Sequence, residues 1–195
     1  MNPSTVSVAP QSSAPVVADA TTRWVLDAAH SEVGFRVRHM MLSWTRGKFD
    51  RFEGTLVLDE RDPSRSHVEV SIDTASVNTN TVDRDNHLRS ADFFESDKFP
   101  KMTFVSTKVE PQASGALKVQ GELQIRGTKK PVTLDVEALS PAMKDPWGGT
   151  RRGTRATTKL NRKDFGLTWN AALELGGVLV GEEVEISLEI ELIRK

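Results

Sequence analysis

From Val184 to Leu192 every second residue is apolar. Val184, Ile186, Leu188, Ile190 and Leu192 alternate with Glu185, Ser187, Glu189 and Glu191. A period of two is that of a strand with one face buried and the other wet; a helix would space its apolar residues three and four apart. The run from Leu117 repeats the pattern. Leu117, Val119, Leu123 and Ile125 fall on one side, and Lys118, Gln120, Glu122 and Gln124 on the other. Gly121 lies on the apolar side, where it relieves crowding or marks a bend. Val132, Leu134, Val136 and Ala138 then alternate with Thr133, Asp135 and Glu137.

The joints between these runs are short and turn-like. Ser114-Gly115 precedes one strand, and Asp62-Pro63-Ser64 separates Leu56–Asp59 from Val68, Val70 and Ile72. Residues 126–130 link two more, with Pro131 where an interior ladder bond is not yet required. Short links between alternating strands imply antiparallel hairpins. About eight to ten strands are expected, which is the signature of a sandwich or a barrel; alternation does not choose between them.

One segment breaks the period. From Asp83 to Ser90 the only large apolar residue is Leu88, and Thr81 or Asp83 can serve as N-cap, so a short helix is expected there. A loop follows, ending at Phe99-Pro100. Leu88, Phe93, Phe94 and Phe99 cluster around it, either as a plug or gate at one barrel mouth or as a satellite core under a long loop.

The bulk numbers exclude more than they assign. The chain has 195 residues, a net charge of −1 and no cysteine. One domain is expected, with no disulfide, thiolate chemistry or cysteine-bound metal. No nucleic-acid partner is expected, since Arg151, Arg152 and Arg155 read as a solvated strand face. There is no apolar run of about 18 residues, so no stable membrane insertion by a helix is expected. Residues 1–22 read as a flexible tail without a basic start or apolar stretch, which makes a cytoplasmic location the expectation; residues 23–195 form the folded domain. No G-x-S-x-G, H-E-x-x-H or P-loop is present, and tyrosine is absent. Asp83, Asp85 and His87 invite a metal reading, but the stretch lacks the glycine and bidentate glutamate of a calcium loop, and a catalytic zinc requires three protein ligands in a defined cluster. No catalytic residue, metal or cofactor is expected.

Five stretches read together as a resemblance. They are Asp27–His39, Arg46-Gly47-Lys48-Phe49 with Phe52-Glu53-Gly54, Arg84–Phe94 closing at Phe99-Pro100, Leu123–Gly127 with Lys130-Pro131-Val132, and Arg162–Asn170 followed by Gly181-Glu182-Glu183-Val184. Each is weak alone; five in order, spanning Trp24 to about Leu192, are specific. The set resembles the YceI-like family of bacterial proteins. The resemblance implies an all-β, lipocalin-like eight-stranded antiparallel barrel with one short helix. It implies a cavity for a polyisoprenoid, isoprenoid quinone or fatty acyl compound, in transport or stress response, and a homodimer. Relatives are often periplasmic.

The expected wall is Val33, Phe35, Val37, Phe49, Phe104, Leu134, Leu167 and Trp169, with Leu88, Phe93 and Phe94 at the mouth; ordinary barrel core is the alternative. His39, in register with Phe35 and Val37, either meets a headgroup or is a hydrogen-bonded structural histidine. Arg46, Arg84 and Arg89 either face an anionic headgroup or stitch the barrel through Asp85, Asp92 or Asp164. Trp147 reads as a loop tip. Three functions follow: a carrier or store of a long-chain lipid, an enzyme acting on such a lipid through His39, or a barrel with a filled interior that works by its surface.

Overall fold

The computed structural model describes residues 21–174 and 176–195. The strands β1 (Thr21–Leu26), β2 (Glu32–His39), β3 (Ser43–Phe49), β4 (Phe52–Asp59), β5 (His67–Asp73) and β6 (Val77–Asn78) lead into the helix α1 (Val82–Arg89). Then come β7 (Lys101–Pro111), β8 (Leu117–Ile125), β9 (Thr128–Val136), β10 (Met143–Lys144), β11 (Thr150–Asn161) and β12 (Val180–Arg194). Every pairing is antiparallel. The ladder runs β1–β4–β5–β7–β8–β9–β11–β12 and returns to β1, closing an eight-stranded barrel. Closure rules out the sandwich and leaves few strand edges to pair with other chains.

The extra segments belong to bent staves of this barrel. β12 meets β1 at Leu192 and β2 at Leu188, so β1 and β2 lie end to end along one side of it. β3 and β4 answer them, through Val33↔Phe49 and Val25↔Thr55, and β6 continues the β5 stave beside β3. Because the sheet closes on itself, one side of each stave faces inward. The alternations at Leu117–Ile125 and Val184–Leu192 therefore become interior wall and wet exterior.

Several local expectations are corrected. Thr21 and Thr22, assigned to the tail, are already in β1, where Thr21 pairs with Asp59. The β8–β9 joint is only Arg126-Gly127, at φ 50° and 76°, the tight turn whose twist suits a hairpin. Thr128–Lys130 are thus strand, and Pro131 stands inside β9 opposite Glu122. Counted from the turn, that pair is a non-hydrogen-bonded one, so the missing N–H forfeits no bond to β8. The inward run of β9 ends at Val136; Ala138 is exposed and Leu139 packs inward instead. Arg151, Arg152 and Arg155 do not form one face, because neighbours in a strand point to opposite sides. Arg155 is exposed with Glu189, whereas Arg152 lies over Trp24.

Gly121 does relieve crowding: a Cβ there would lie 2.3 Å from Phe104 Cζ. Of the two N-cap candidates the helix uses Thr81, although its side chain accepts its bond from Arg84 Nη2 at 2.9 Å rather than from the backbone. Arg84 and Arg89 do not stitch through the expected aspartates. Arg84 reaches Thr79 Oγ1 and O at 2.7 and 3.0 Å, and Arg89 reaches the carbonyls of Ala75 and Val77 at 2.8 and 3.0 Å. β6 is too short to satisfy the carbonyls around it, and these guanidiniums do so instead. Asp85 accepts from the Thr79 N–H at 2.8 Å, and Asp92 meets His87 at 2.9 Å.

Candidate functional site

The two ends of the barrel are built differently. At one end Trp24, 1% exposed, packs with Leu58 and Leu192. The Arg152 guanidinium sits 5.3 Å over its ring and pairs with Glu60 at 3.3 Å, so an aromatic floor and an ion pair seal this end. The other end is crossed by α1 and the turns after it. His87 stands edge-on to Phe93 and Trp169, at 5.1 and 4.5 Å between ring centres, and Phe94 meets Phe49 edge-on at 5.6 Å. Leu88, Phe93 and Phe94 therefore join the main core and not a satellite. Phe99 is separate from them and packs on Gly127 at the β8–β9 turn.

Between these ends lies a cavity of about 640 Å³. All eight staves contribute to its wall. The interior is hollow, as the cavity reading expects and the alternative of a filled barrel does not. All the residues expected at the site border it: Val33, Phe35, Val37 and His39 from β2, Phe49 from β3, Phe104 from β7 and Leu134 from β9. Leu88, Phe93 and Phe94 border it from α1 and the following turn, and Leu167 and Trp169 from the segment after β11. Arg84 is also on the wall; Arg46 is exposed on the outer side of β3, and Arg89 faces the carbonyls beneath α1.

Polarity along the cavity is uneven. Near Trp24 and through the middle the wall is mostly aliphatic and phenyl side chains, with a few Ser and Thr among them. Toward α1 it gains His39, Asp83, Arg84, His87 and Arg162. Among the described lining residues only Asp83 and Arg84 are exposed, which locates the opening beside α1.

Arg162 was missed by reasoning from the sequence. It is 6% exposed, and it donates from Nε to Gly181 O at 2.8 Å, from Nη1 to the carbonyls of Leu167 and Trp169, and from Nη2 to Val180 O at 3.4 Å. Burial pulls its pKa below the ordinary guanidinium value. Its hydrogen bonds all go to backbone carbonyls, which use four of its five N–H groups, and Glu182 acts on it only through space. The rest of the wall that was missed, including Leu56, Val70 and Met102, was visible as inward strand positions.

Away from the cavity Arg151 gathers Asp27, Asp145 and Glu191 on the outer surface. Its hydrogen bond, helped by His30, lowers the Asp27 pKa to about 2. Asp27, His30 and Glu191 have metal-ligand spacing, but the Arg151 guanidinium already supplies the positive charge to both carboxylates. Asp83, Asp85 and His87 do not converge: Asp83 is at the opening, while Asp85 turns to Thr79 and His87 to Asp92.

Comparison with known proteins decides the family. The YceI-like domain model matches residues 24–192. The chain belongs to the YceI-like family. Protein YceI of Salmonella newport strain SL254 is 41% identical over 165 residues, 85% of this chain and 82% of that one. This YceI-like barrel also superposes on the crystal structure of the Campylobacter jejuni YCEI protein with a TM-score of 0.69 and 32% identity, covering 87% and 96% of the two chains. A polyisoprenoid-binding domain from Saccharophagus degradans, implicated in plant cell wall breakdown, shares the fold at a TM-score of 0.63 and 17% identity, over 88% and 98% of the chains.

Proposed function

We propose that the barrel carries or stores one long-chain amphiphile, its tail along the interior and its polar end beside α1. A polyisoprenoid, an isoprenoid quinone and a fatty acyl compound all have the required shape. The observation that carries the reading is the apolar, one-mouthed cavity of about 640 Å³. At roughly 30 Å³ per methylene, about a water molecule's share of the liquid, it accepts a chain of about twenty carbons. A tail needs no directed bonds, because each buried methylene contributes about 0.8 kcal/mol. A smooth dry wall is therefore sufficient, and no sharp polar motif is required of the sequence.

The polar end has a sign. Arg84 and Arg162 border it against the single carboxylate of Asp83. Such a site favours an acceptor-rich head, as in a phosphate, a carboxylate or a quinone carbonyl. Membership of a family whose fold includes a polyisoprenoid-binding domain supports binding in preference to chemistry. Lipid extraction and mass spectrometry of protein purified without detergent tests the proposal. One long-chain species per barrel is expected; a barrel that arrives empty and binds no isoprenoid or acyl chain on titration would overturn it. Turnover of such a lipid that disappears in His39→Ala with the fold intact would establish an enzyme instead.

A further inference from the structure

The hairpin between β2 and β3 has an unusual turn. Its central residues, Met40 and Met41, have φ of 52° and 59°, and the Leu42 N–H donates to His39 O at 3.0 Å. Turns with two positive φ angles ordinarily take Asn and Gly, because a Cβ is strained there. The side chains are also in the wrong solvent. Leu42 is 79% exposed and Met41 65%, and Val82 at the start of α1 is 74% exposed. The Met40 N–H donates to Leu179 O at 2.8 Å, which fastens the tip beside exposed Val178. Leu179 and His39 line the cavity, and Val82 adjoins Asp83 at its opening. Five of the eight large apolar side chains exposed among the described residues thus rim the mouth.

A basic collar lies behind the tip. Trp44 is stacked between the guanidiniums of Arg36 and Arg38, 4.4 and 4.2 Å from its ring centre, and Arg46 projects from the same side of the hairpin. Arg36 pairs with Glu185, whereas Arg38 and Arg46 form no salt bridge among the described residues. Apolar tip first and Arg with Trp behind it is the order a segment meets on entering a bilayer, acyl chains beyond anionic headgroups. Strain and exposed apolar surface both oppose this turn in water, and both are offset where the tip meets lipid.

We infer that Met40-Met41-Leu42, with Val82 and Val178, docks on an anionic phospholipid surface and sets the cavity mouth against it. The inference draws its purpose from the lipid-cargo reading. Flotation of the full chain with vesicles of phosphatidylcholine and phosphatidylglycerol tests it. The protein should float with these and less with phosphatidylcholine alone. Met41→Asp with Leu42→Asp should lower the floated fraction by more than about tenfold, since two large apolar side chains leave the interface. Trp147→Ala, at the sealed end, should float like the unaltered protein, and near-UV circular dichroism should match in all three. Equal flotation of the tip variant, or loss on Trp147→Ala, overturns the inference. So does a dimer in sedimentation that the tip substitutions split, with no flotation. Lipid extraction from the same preparations separates the two readings. A loaded protein that does not float overturns the docking alone, and a floating protein that neither holds nor takes up lipid overturns the cargo alone.

Discussion

Narrowing the cavity should shorten the cargo by a countable amount. Ala156 is buried on β11, faces inward between Val136 and Leu188, and borders the cavity. Ala156→Phe adds about six ring carbons, which displace about six methylenes of tail worth about 0.8 kcal/mol each. A cargo of about twenty carbons then loses about 5 kcal/mol, between three and four powers of ten in Kd. A chain of about fourteen carbons still fits and loses nothing. Trp169 lines the cavity, so its emission reports binding. Fatty acids of increasing length, presented on cyclodextrin, should tighten steadily and then level off. The plateau should come about six carbons earlier in the variant. Thermal unfolding should change little, since the ring fills space rather than displacing neighbours. Identical plateaus in the two proteins, with the fold intact, would refute the placement of the tail.

Phe94→Ala removes the ring that packs edge-on to Phe49 under α1 and should speed lipid release in stopped flow, by about tenfold if about 1.4 kcal/mol of the barrier is lost; unchanged release counts against a gate. Arg162→Met strips the carbonyls of Leu167, Trp169, Val180 and Gly181 of their donor and should lower stability by about 3 kcal/mol or more in urea titration, and an unmoved midpoint would show that water replaces it. Gly121→Ala should destabilise by about 1–3 kcal/mol through contact with Phe104, and Phe104→Leu should recover part of it; strict additivity of the two would refute that contact. With its pKa held at about 2, below the ordinary carboxylate value, Asp27 contributes stability that is fully present above about pH 4 and lost as the pH falls through about 2. Arg151→Met should therefore be less stable than the unaltered protein near pH 5 and approach it near pH 2, whereas a gap constant with pH would exclude this linkage.

The barrel wall was legible because a strand has only two faces and a closed sheet assigns one of them inward. Val33, Phe35, Val37 and His39 needed no further information to be placed together. The barrel itself, as against a sandwich, was legible only through the resemblance. What could not be read is set by long-range return of the chain. Arg162 looks like any solvated arginine beside Lys163 until the segment ending at Gly181 folds back over it with its carbonyls. Arg84 and Arg89 were offered aspartates nearby in sequence, but a β6 of two residues left carbonyls with a stronger claim on them. Pro131 was placed before its strand because no sequence signal says that Arg126 will take a positive φ and shorten the turn.

The Trp24 floor has a kinetic consequence. A barrel closed at one end is a sleeve and not a pipe: whatever goes in tail-first must come out head-first through the same opening. On the lipid-cargo proposal, a second lipid cannot enter behind the first and push it through. Exchange between cargoes must then pass through an empty protein, and its rate is set by departure alone, however much competitor waits outside.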